Sequence, residues 1–589
     1  MIIPKGLACI AVTLLLSIGH RATALAQSPP ILVDGRFNEW EQRVPAYDGS
    51  AGPQTAGIDF GRIWIESSSD FLLIAFELDQ ELLIQENNRL AIYLDTDMNS
   101  ATGAQAGGLG AELVWTFGER RGTLHPPSGT RSVDQADIGI VSAPTVSSTR
   151  FEFAMPLDVT PGGWQLFSSD SLRILLVDQN SGSQAPEPGE VISVAISRDA
   201  SVVRGTEDLT RANGILRLLT YNVENDGLFD PALTTSFGRI LAAVDPDVIL
   251  FVEIYDHSSG QTADRVEQFL PSGLGHQWYA ASTGSDVIIV SRFPILRSFA
   301  IRGTQTSGNS AFLIDLSRQF DGEFLVVGAH LPCCGGADNN EERQQEADEL
   351  MAFVRDIKAD GSIANRTPFV ITGDLNLVGD SQQLRTLVTG EIVTDVFAPS
   401  FGPDWNGTDL ADLTPPVTGT PLTYTWENRQ STFQPGRLDF FIYTDAVTGI
   451  GKRFALDSGQ MSSQALMRAG LARIDTGIAS DHLPVAADFD FKIPTSTTPF
   501  EFPQDLSALK VYPNPGSGRI NLEFGLKHAG RIQMRISDIL GRPMTTITRP
   551  SLNAGQHSLS VDLDIPSGLY IATLIGPIQR TSTKFVVVH

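Results

Sequence analysis

The chain has 589 residues, 42% of them hydrophobic and 19% charged, enough for several domains of about 100–200 residues each. Its 68 acidic residues outnumber 42 basic ones, a formal net charge of −26, so its surface repels polyanions and a phosphate-bearing substrate needs a local cationic site or a metal. Three cysteines exclude a disulfide scaffold.

Residues 1–26 read as a secretory signal: Lys5, an apolar core, and Ala24-Leu25-Ala26 as an A-x-A cleavage site. The core is too short to span a bilayer, and no later stretch approaches roughly 18 uninterrupted apolar residues. Cys9 does not stand at the cleavage point, which argues against a lipid anchor. The mature protein is expected to be soluble and exported. Its 40 bases then face 68 acids, a net −28, and only the adjacent Cys333 and Cys334 remain. Neighbouring cysteines cannot staple a distant loop.

Residues 28–205 are expected to be all-β. Runs such as "RIWIES", "FLLIAFEL", "RLAIYLDTD", "AELVWTF" and "SLRILLVDQ" lie between Gly, Ser, Asn and Pro clusters, the pattern of a β-sandwich. Residues 215–490 change character. Apolar strands ("ILRLLTYNV", "DVILFVEI", "DVIIVSRF", "EFLVVGAHL", "PFVITGDLN", "RLDFFIYT", "LPVAADF") alternate with helical stretches. In the clearest helix Ala347, Leu350, Met351, Val354 and Ile357 recur on one face. Residues 491–506 form a Pro/Thr linker, and 507–589 return to short strands and turns, a small β-sandwich without a reactive cluster.

In open α/β architectures the loops at strand ends carry the site. In the middle segment Asn222 and Glu224, Glu253, His330, Asp374 and Asn376 follow or close strands, and Asp481–His482 precede one. Asp439 sits inside an apolar strand, which is costly unless it is paired. These residue types support phosphate-ester hydrolysis. A hard cation such as Mg²⁺ takes one or two carboxylates, with Glu253 the best candidate and Glu224 and Asp481 further oxygen donors. Asp374 can orient and deprotonate the attacking water. His482, held by Asp439, can stay cationic and bind phosphate, and His330 can do the same or protonate the leaving oxygen.

Taken in order, "TYNVEN", "DVILFVE", "VIIVSRFPI", "VVGAHL", "ITGDLN", "RLDFFI" and "SDHLPV" resemble the endonuclease/exonuclease/phosphatase family. That family includes deoxyribonuclease I-like enzymes, abasic-site endonucleases, secreted sphingomyelinases and inositol phosphate phosphatases. The resemblance implies a central α/β four-layer sandwich, two central mixed sheets flanked by helices, with a Mg²⁺- or Mn²⁺-dependent site. It implies Asn222, Glu224, Glu253 and Asp481 in the metal region, Asp374 and Asn376 positioning water, Asp439 orienting His482, and His330 at a histidine-or-tyrosine position. Cys333 and Cys334 follow His330 and read as two reduced or buried thiols shaping a loop, with a strained vicinal disulfide as the alternative. Arg343 suits either a phosphate contact or an exposed helix start, and Tyr424 and Trp426 either substrate stacking or packing.

Both ends carry further resemblances. "ILVDGRFNEW" and "AIYLDTDMNSATG" are similar to family 9 carbohydrate-binding modules, which implies polysaccharide as a partner. Within the second stretch Asp95, Asp97 and Asn99 alternate as oxygen donors, consistent with a structural Ca²⁺ loop. "VYPNPGSGRINLEF", "ISDILGR" and "IPSGLYIATL" resemble the type IX secretion sorting domain, which implies the type IX machinery as a partner and a secreted or cell-surface location. The expected function is a secreted metal-dependent phosphoesterase, most simply a nuclease on extracellular nucleic acid. The alternatives are a sphingomyelinase-like phospholipid phosphodiesterase or a phosphomonoesterase on the same fold, and an adhesive carbohydrate-binding protein with an inactive centre.

Overall fold

The computed structural model describes residues 28–49, 57–273, 277–301, 308–320, 322–491, 509–526, 530–538, 542–553, 555–563, 565–575 and 580–588. The signal at 1–26 and all but the first residue of the 491–506 linker lie outside the described residues.

The central segment is built on two six-stranded mixed sheets. One orders Tyr279–Ala281, Asp286–Ser291, Val248–Ile254, Leu216–Asn222, Val485–Asp490 and Gly449–Ala455. The other orders Ile295–Ala300, Ser310–Asp315, Glu323–His330, Phe369–Asp374, Asp439–Tyr443 and Ala411–Leu413. Each sheet has one parallel pair at its centre, Leu216–Asn222 with Val248–Ile254 and Glu323–His330 with Phe369–Asp374.

Alternation along these strands explains the layering, because successive side chains point to opposite faces. Leu218, Leu250 and Ile289 of one sheet meet Phe312, Val326 and Phe441 of the other in an inner layer. On the outer faces, Phe237, Ile240, Leu241 and Val244 of the helix Thr234–Val244 cover Leu219, Tyr221 and Ile249. The helix Ala337–Ala359 presents Ala347, Leu350, Met351, Val354 and Ile357, all buried, to Leu325, Val327 and Ile371. Helix, sheet, sheet and helix make the four expected layers. Strands buried on both faces need no polar side, so their sequences read as near-continuous apolar runs.

The N-terminal segment pairs a five-stranded with a seven-stranded sheet, both antiparallel, around Phe76, Trp115, Phe117, Phe151 and Phe153. In the strand Phe71–Leu82, Leu72, Ile74 and Phe76 enter this core while Leu73 and Ala75 face the other way. Those two join Val33, Phe37, Trp40 and Trp64 in one apolar cluster with the inner layer of the central sheets. The C-terminal segment is a seven-stranded all-β unit around Ile520, Leu522, Met534, Ile536 and Phe585. No described helix is long and apolar enough to cross a membrane.

Candidate active site

The strand register sets the site before any side chain is considered. Across the second sheet His330 pairs with Asp374, and Asp374 with Asp439, so three polar residues line up at one edge of an apolar sheet. Gly373 stands immediately before Asp374 with φ +131°, and a Cβ there would lie 2.0 Å from the Ala329 carbonyl oxygen. Only glycine lets the strands approach that closely beside the aspartate.

Asn222 joins the two sheets. Its Nδ2 donates to Glu253 Oε1 (2.9 Å) and to Asp374 Oδ2 (3.1 Å), while its Oδ1 accepts the Glu224 N–H (3.0 Å). The amide thus presents its NH₂ group to the two carboxylates and keeps its oxygen for the backbone. Glu253 lies in a β-bulge between Phe251 and Ile254 with φ +65°, the left-handed region that a non-glycine residue rarely occupies. The bulge re-aims the side chain, and the N–H it frees from the ladder donates to Asp286 Oδ1 (2.8 Å). Glu253 Oε2 accepts the Asn225 N–H (2.9 Å).

Two histidines face Asp374, each backed by its own carboxylate. His482 Nδ1 lies 2.8 Å from Asp439 Oδ2, and its Nε2 lies 3.5 Å from Asp374 Oδ2. His330 Nδ1 lies 2.9 Å from Asp286 Oδ2, and its Nε2 lies 3.6 Å from the same Asp374 oxygen. Burial works against the His482 cation, but the charges of Asp439 and Asp374 overcome it and hold the imidazolium up to about 10. Burial likewise opposes the charge on His330, and the Asp286 hydrogen bond and the Asp374 charge lift it to about 9. Burial raises Asp374 to about 6 against the pull of His482, with Asp439 adding to the rise. At neutral pH the site therefore holds one carboxylate between two imidazoliums. Both Nε2 contacts are too long to be hydrogen bonds. Both Nε2 atoms and the Asn222 amide face the same oxygen, Asp374 Oδ2.

Asn376, Asp481 and Glu224 stand beside these residues. Asn376, with φ +45°, donates its backbone N–H to Asp374 Oδ1 (3.1 Å) and its Nδ2 to the Leu331 carbonyl (3.0 Å). Asp481 Oδ2 accepts the Trp426 indole N–H (2.9 Å). Glu224 lies close enough to Asp481 that burial and then the Asp481 charge raise its carboxyl.

Two residues were not legible as site residues, Asp286 and Asn309. Asp286 backs His330 and holds the Glu253 bulge, and Asn309 Oδ1 accepts the His330 N–H (2.9 Å). Trp426 holds Asp481. Arg343 is neither exposed nor free for phosphate: it is fully buried, and its Nη1 donates to the carbonyls of Pro332 (2.9 Å) and Cys334 (2.7 Å). Tyr424 is buried, with its hydroxyl donated to Asp457 Oδ2 (2.8 Å), so it packs and does not stack on a substrate. Cys333 and Cys334 are free thiols, exposed rather than buried.

Among the described residues, two groups of side chains bring metal-ligating atoms within 4.8 Å of one another. One is Glu253, His330 and Asp374; the other is Asp95, Asp97 and Glu112 in the N-terminal sandwich. In the first, His330 Nδ1 is held by Asp286 and its Nε2 faces Asp374.

Residues 219–482 match the Endonuclease/Exonuclease/phosphatase family, and residues 510–588 match the secretion system C-terminal sorting domain. A comparison with curated proteins gives no significant match. Similar solved structures include an endonuclease/exonuclease/phosphatase from Beutenbergia cavernae DSM 12333, 14% identical over 63% of this chain and 100% of that one, with TM-score 0.31. A mannosyl-6-phosphatase from Bacteroides thetaiotaomicron VPI-5482 is 14% identical over 47% of this chain and 100% of its own, with TM-score 0.31. Sphingomyelinase C from Streptomyces griseocarneus is 17% identical over 46% of this chain and 99% of its own, with TM-score 0.27.

Proposed function

We propose that this chain, a phosphoric ester hydrolase with an endonuclease/exonuclease/phosphatase family domain and a type IX sorting domain that takes it to the cell surface or beyond, is a divalent-metal-dependent phosphodiesterase acting on extracellular nucleic acid. The observation that carries the reading is that His330 Nε2 and His482 Nε2 both face the Asp374 Oδ2 oxygen, to which Asn222 Nδ2 donates. A phosphoryl oxygen brought beside Asp374 meets the two imidazolium N–H groups in a buried setting, where such donors count most. Asp374, near neutral in its proton affinity, can orient a water and accept its proton. Asp439 and Asp286 keep the imidazoles charged and fix their rings.

The residues fit a hard cation. Glu253 is half-buried, and Glu224 and Asp481 stand together as further carboxylate donors. Mg²⁺ or Mn²⁺ bound there supplies the positive charge that neutralises the phosphoryl group as it transfers.

Nucleic acid is favoured by Tyr255, two residues beyond Glu253. Its ring is 43% exposed, and burial, then the Asp286, Glu253 and Asp374 charges, hold its phenol above the usual range. An exposed aromatic face beside a phosphate site offers a base a stacking platform worth about 1–3 kcal/mol. A second reading, a phospholipid diester with a cationic headgroup, is favoured by the net charge of −26. Hydrolysis of plasmid DNA, RNA, sphingomyelin and a simple phosphomonoester, each with Mg²⁺ and with chelator, separates them. Turnover of nucleic acid at least tenfold above the others is expected, and preference for another ester overturns the nucleic-acid assignment.

A Ca²⁺ loop in the N-terminal sandwich is proposed with a changed ligand set. Asn99 turns its Oδ1 to the Ala101 N–H, and Glu112 stands with Asp95 and Asp97 in its place. Both Asp95 carboxylate oxygens and Glu112 Oε1 are buried without a hydrogen bond, and burial raises both carboxyls. Arg173 Nη1, 3.2 Å from Asp95 Oδ2, offsets part of the charge. Ca²⁺ at a hundredfold excess over its Kd stabilises the domain by about 2.7 kcal/mol. Calorimetric melting should show that gain in wild type and lose it in Glu112→Gln. An equal Ca²⁺ response in both removes the site.

A further inference from the structure

The loop between the buried Tyr424 and the Asp439 strand forms a hairpin, Trp426 pairing with Gly436. Its base is part of the site. Trp426 pairs with His482, the Glu427 N–H donates to the Asp481 carbonyl (2.9 Å), and the Leu483 N–H donates to the Thr425 carbonyl (2.7 Å). Thr425 Oγ1 accepts the N–H of Asp439 (2.9 Å), and the Trp426 indole holds Asp481. The tip of the hairpin rests on the N-terminal sandwich instead. Gln135, buried there, donates its Nε2 to the carbonyls of Asn428 (3.3 Å) and Ser431 (3.2 Å). Arg120 donates to Thr432 Oγ1 (3.2 Å), anchors on the Gln85 carbonyl (2.9 Å), and places its guanidinium 4.0 Å from the centre of the Phe433 ring. The Gln434 N–H donates to Gln85 Oε1 (2.8 Å).

The loop after Asn376 is held from the same side. Thr145 Oγ1 donates to the Leu377 carbonyl (2.8 Å), and the Ser147 N–H to the Gly379 carbonyl (2.9 Å). A sandwich tethered only for substrate capture has no need to grip two loops of the catalytic edge.

We propose that the N-terminal sandwich is a built-in part of the active site, with Arg120 and Gln135 as positioning residues that hold the 426–436 hairpin and, through it, the Asp481–His482 pair. The inference rests on the phosphodiesterase reading for its effect on turnover, but the positioning is measurable without it. An unclamped hairpin lets His482 and Asp481 wander from the phosphate, and displacement of that kind costs up to about a hundredfold in rate.

The test uses the full chain with Arg120→Ala/Gln135→Ala, with Phe433→Ala, and with Arg120→Lys. Amide hydrogen exchange is read at Trp426, Gly436 and Leu483, and steady-state kinetics with bis(p-nitrophenyl) phosphate and Mg²⁺. We expect faster exchange at all three amides in the double variant and a loss in kcat of about ten- to a hundredfold with KM within about twofold. Arg120→Lys keeps a cation over Phe433 and should recover part of both. Phe433, 36% exposed, loosens the clamp from the hairpin side without touching the sandwich core, so Phe433→Ala decides the matter if the double variant does not fold. Unchanged exchange, or a loosened hairpin with unchanged kcat, overturns the proposal. A wild type that cleaves no ester sinks the phosphodiesterase reading, and the exchange comparison still decides whether the clamp exists.

Discussion

Asp374→Ala and His482→Ala each lose about 10²–10⁴ in turnover, the range expected for removing a positioned acid or base. Asp374 is fully enclosed and is the point on which both imidazoliums and Asn222 converge, so its loss removes the base and leaves two cations facing each other. Asp374→Asn keeps the volume and the Asn376 N–H contact yet cannot accept a proton, and it should be as inactive as Asp374→Ala but better folded. The carboxyl also sets an acid limit. Below about pH 6 it is protonated and kcat/KM falls. In His482→Ala the buried Asp439 loses its partner, so some stability goes with the activity. Circular dichroism and turnover decide the outcome together: either alanine variant with a native spectrum and near wild-type rate removes that residue from the chemistry.

The residues that sequence alone could place are those whose neighbours along the chain gave them away. A carboxylate, amide or imidazole closing an apolar strand has few structural uses, and Asn222, Glu253, His330 and Asp374 are all of that kind, while Asp439, which opens its strand, was marked by the cost of an acid in an apolar run. Asp286 escaped because it opens its strand and acts across a register, Ile254 opposite Asp286, that only the folded sheet defines. Glu112 escaped for the same reason. It reaches Asp95 because its backbone N–H donates to the Leu94 carbonyl across the sheet, although Asp95 lies 17 positions earlier in the chain. Arg343 misled because a helix-start arginine is ordinarily solvated, whereas this one satisfies two loop carbonyls that would otherwise be buried bare. The union of the sandwich with the central sheets had a signal in "FLLIAF", a continuous apolar run where one buried face would give alternation.

Glu253→Gln is expected to raise the Mg²⁺ or Mn²⁺ requirement by at least about tenfold while leaving the fold intact, since changes near a metal typically cost 10–100-fold in affinity. The chain spends a left-handed backbone and a β-bulge to aim this side chain at the Asn222–Asp374 edge, and strain of that kind persists where a function holds it. Its two oxygens accept one hydrogen bond each, from Asn222 and from the Asn225 N–H, which leaves lone pairs for a cation. Glutamine keeps the shape, but it has lost the charge, and its NH₂ must face one of those two donors. An acidic protein that must draw in a phosphate ester depends on that charge more than a basic one does. Titration calorimetry of wild type and Glu253→Gln with Mg²⁺ and Mn²⁺, in the presence of a non-hydrolysable diester, measures the difference directly. In parallel, chelator should abolish wild-type turnover and added metal restore it. Equal metal affinity in the two proteins would remove Glu253 from the metal site and leave the bulge without a function.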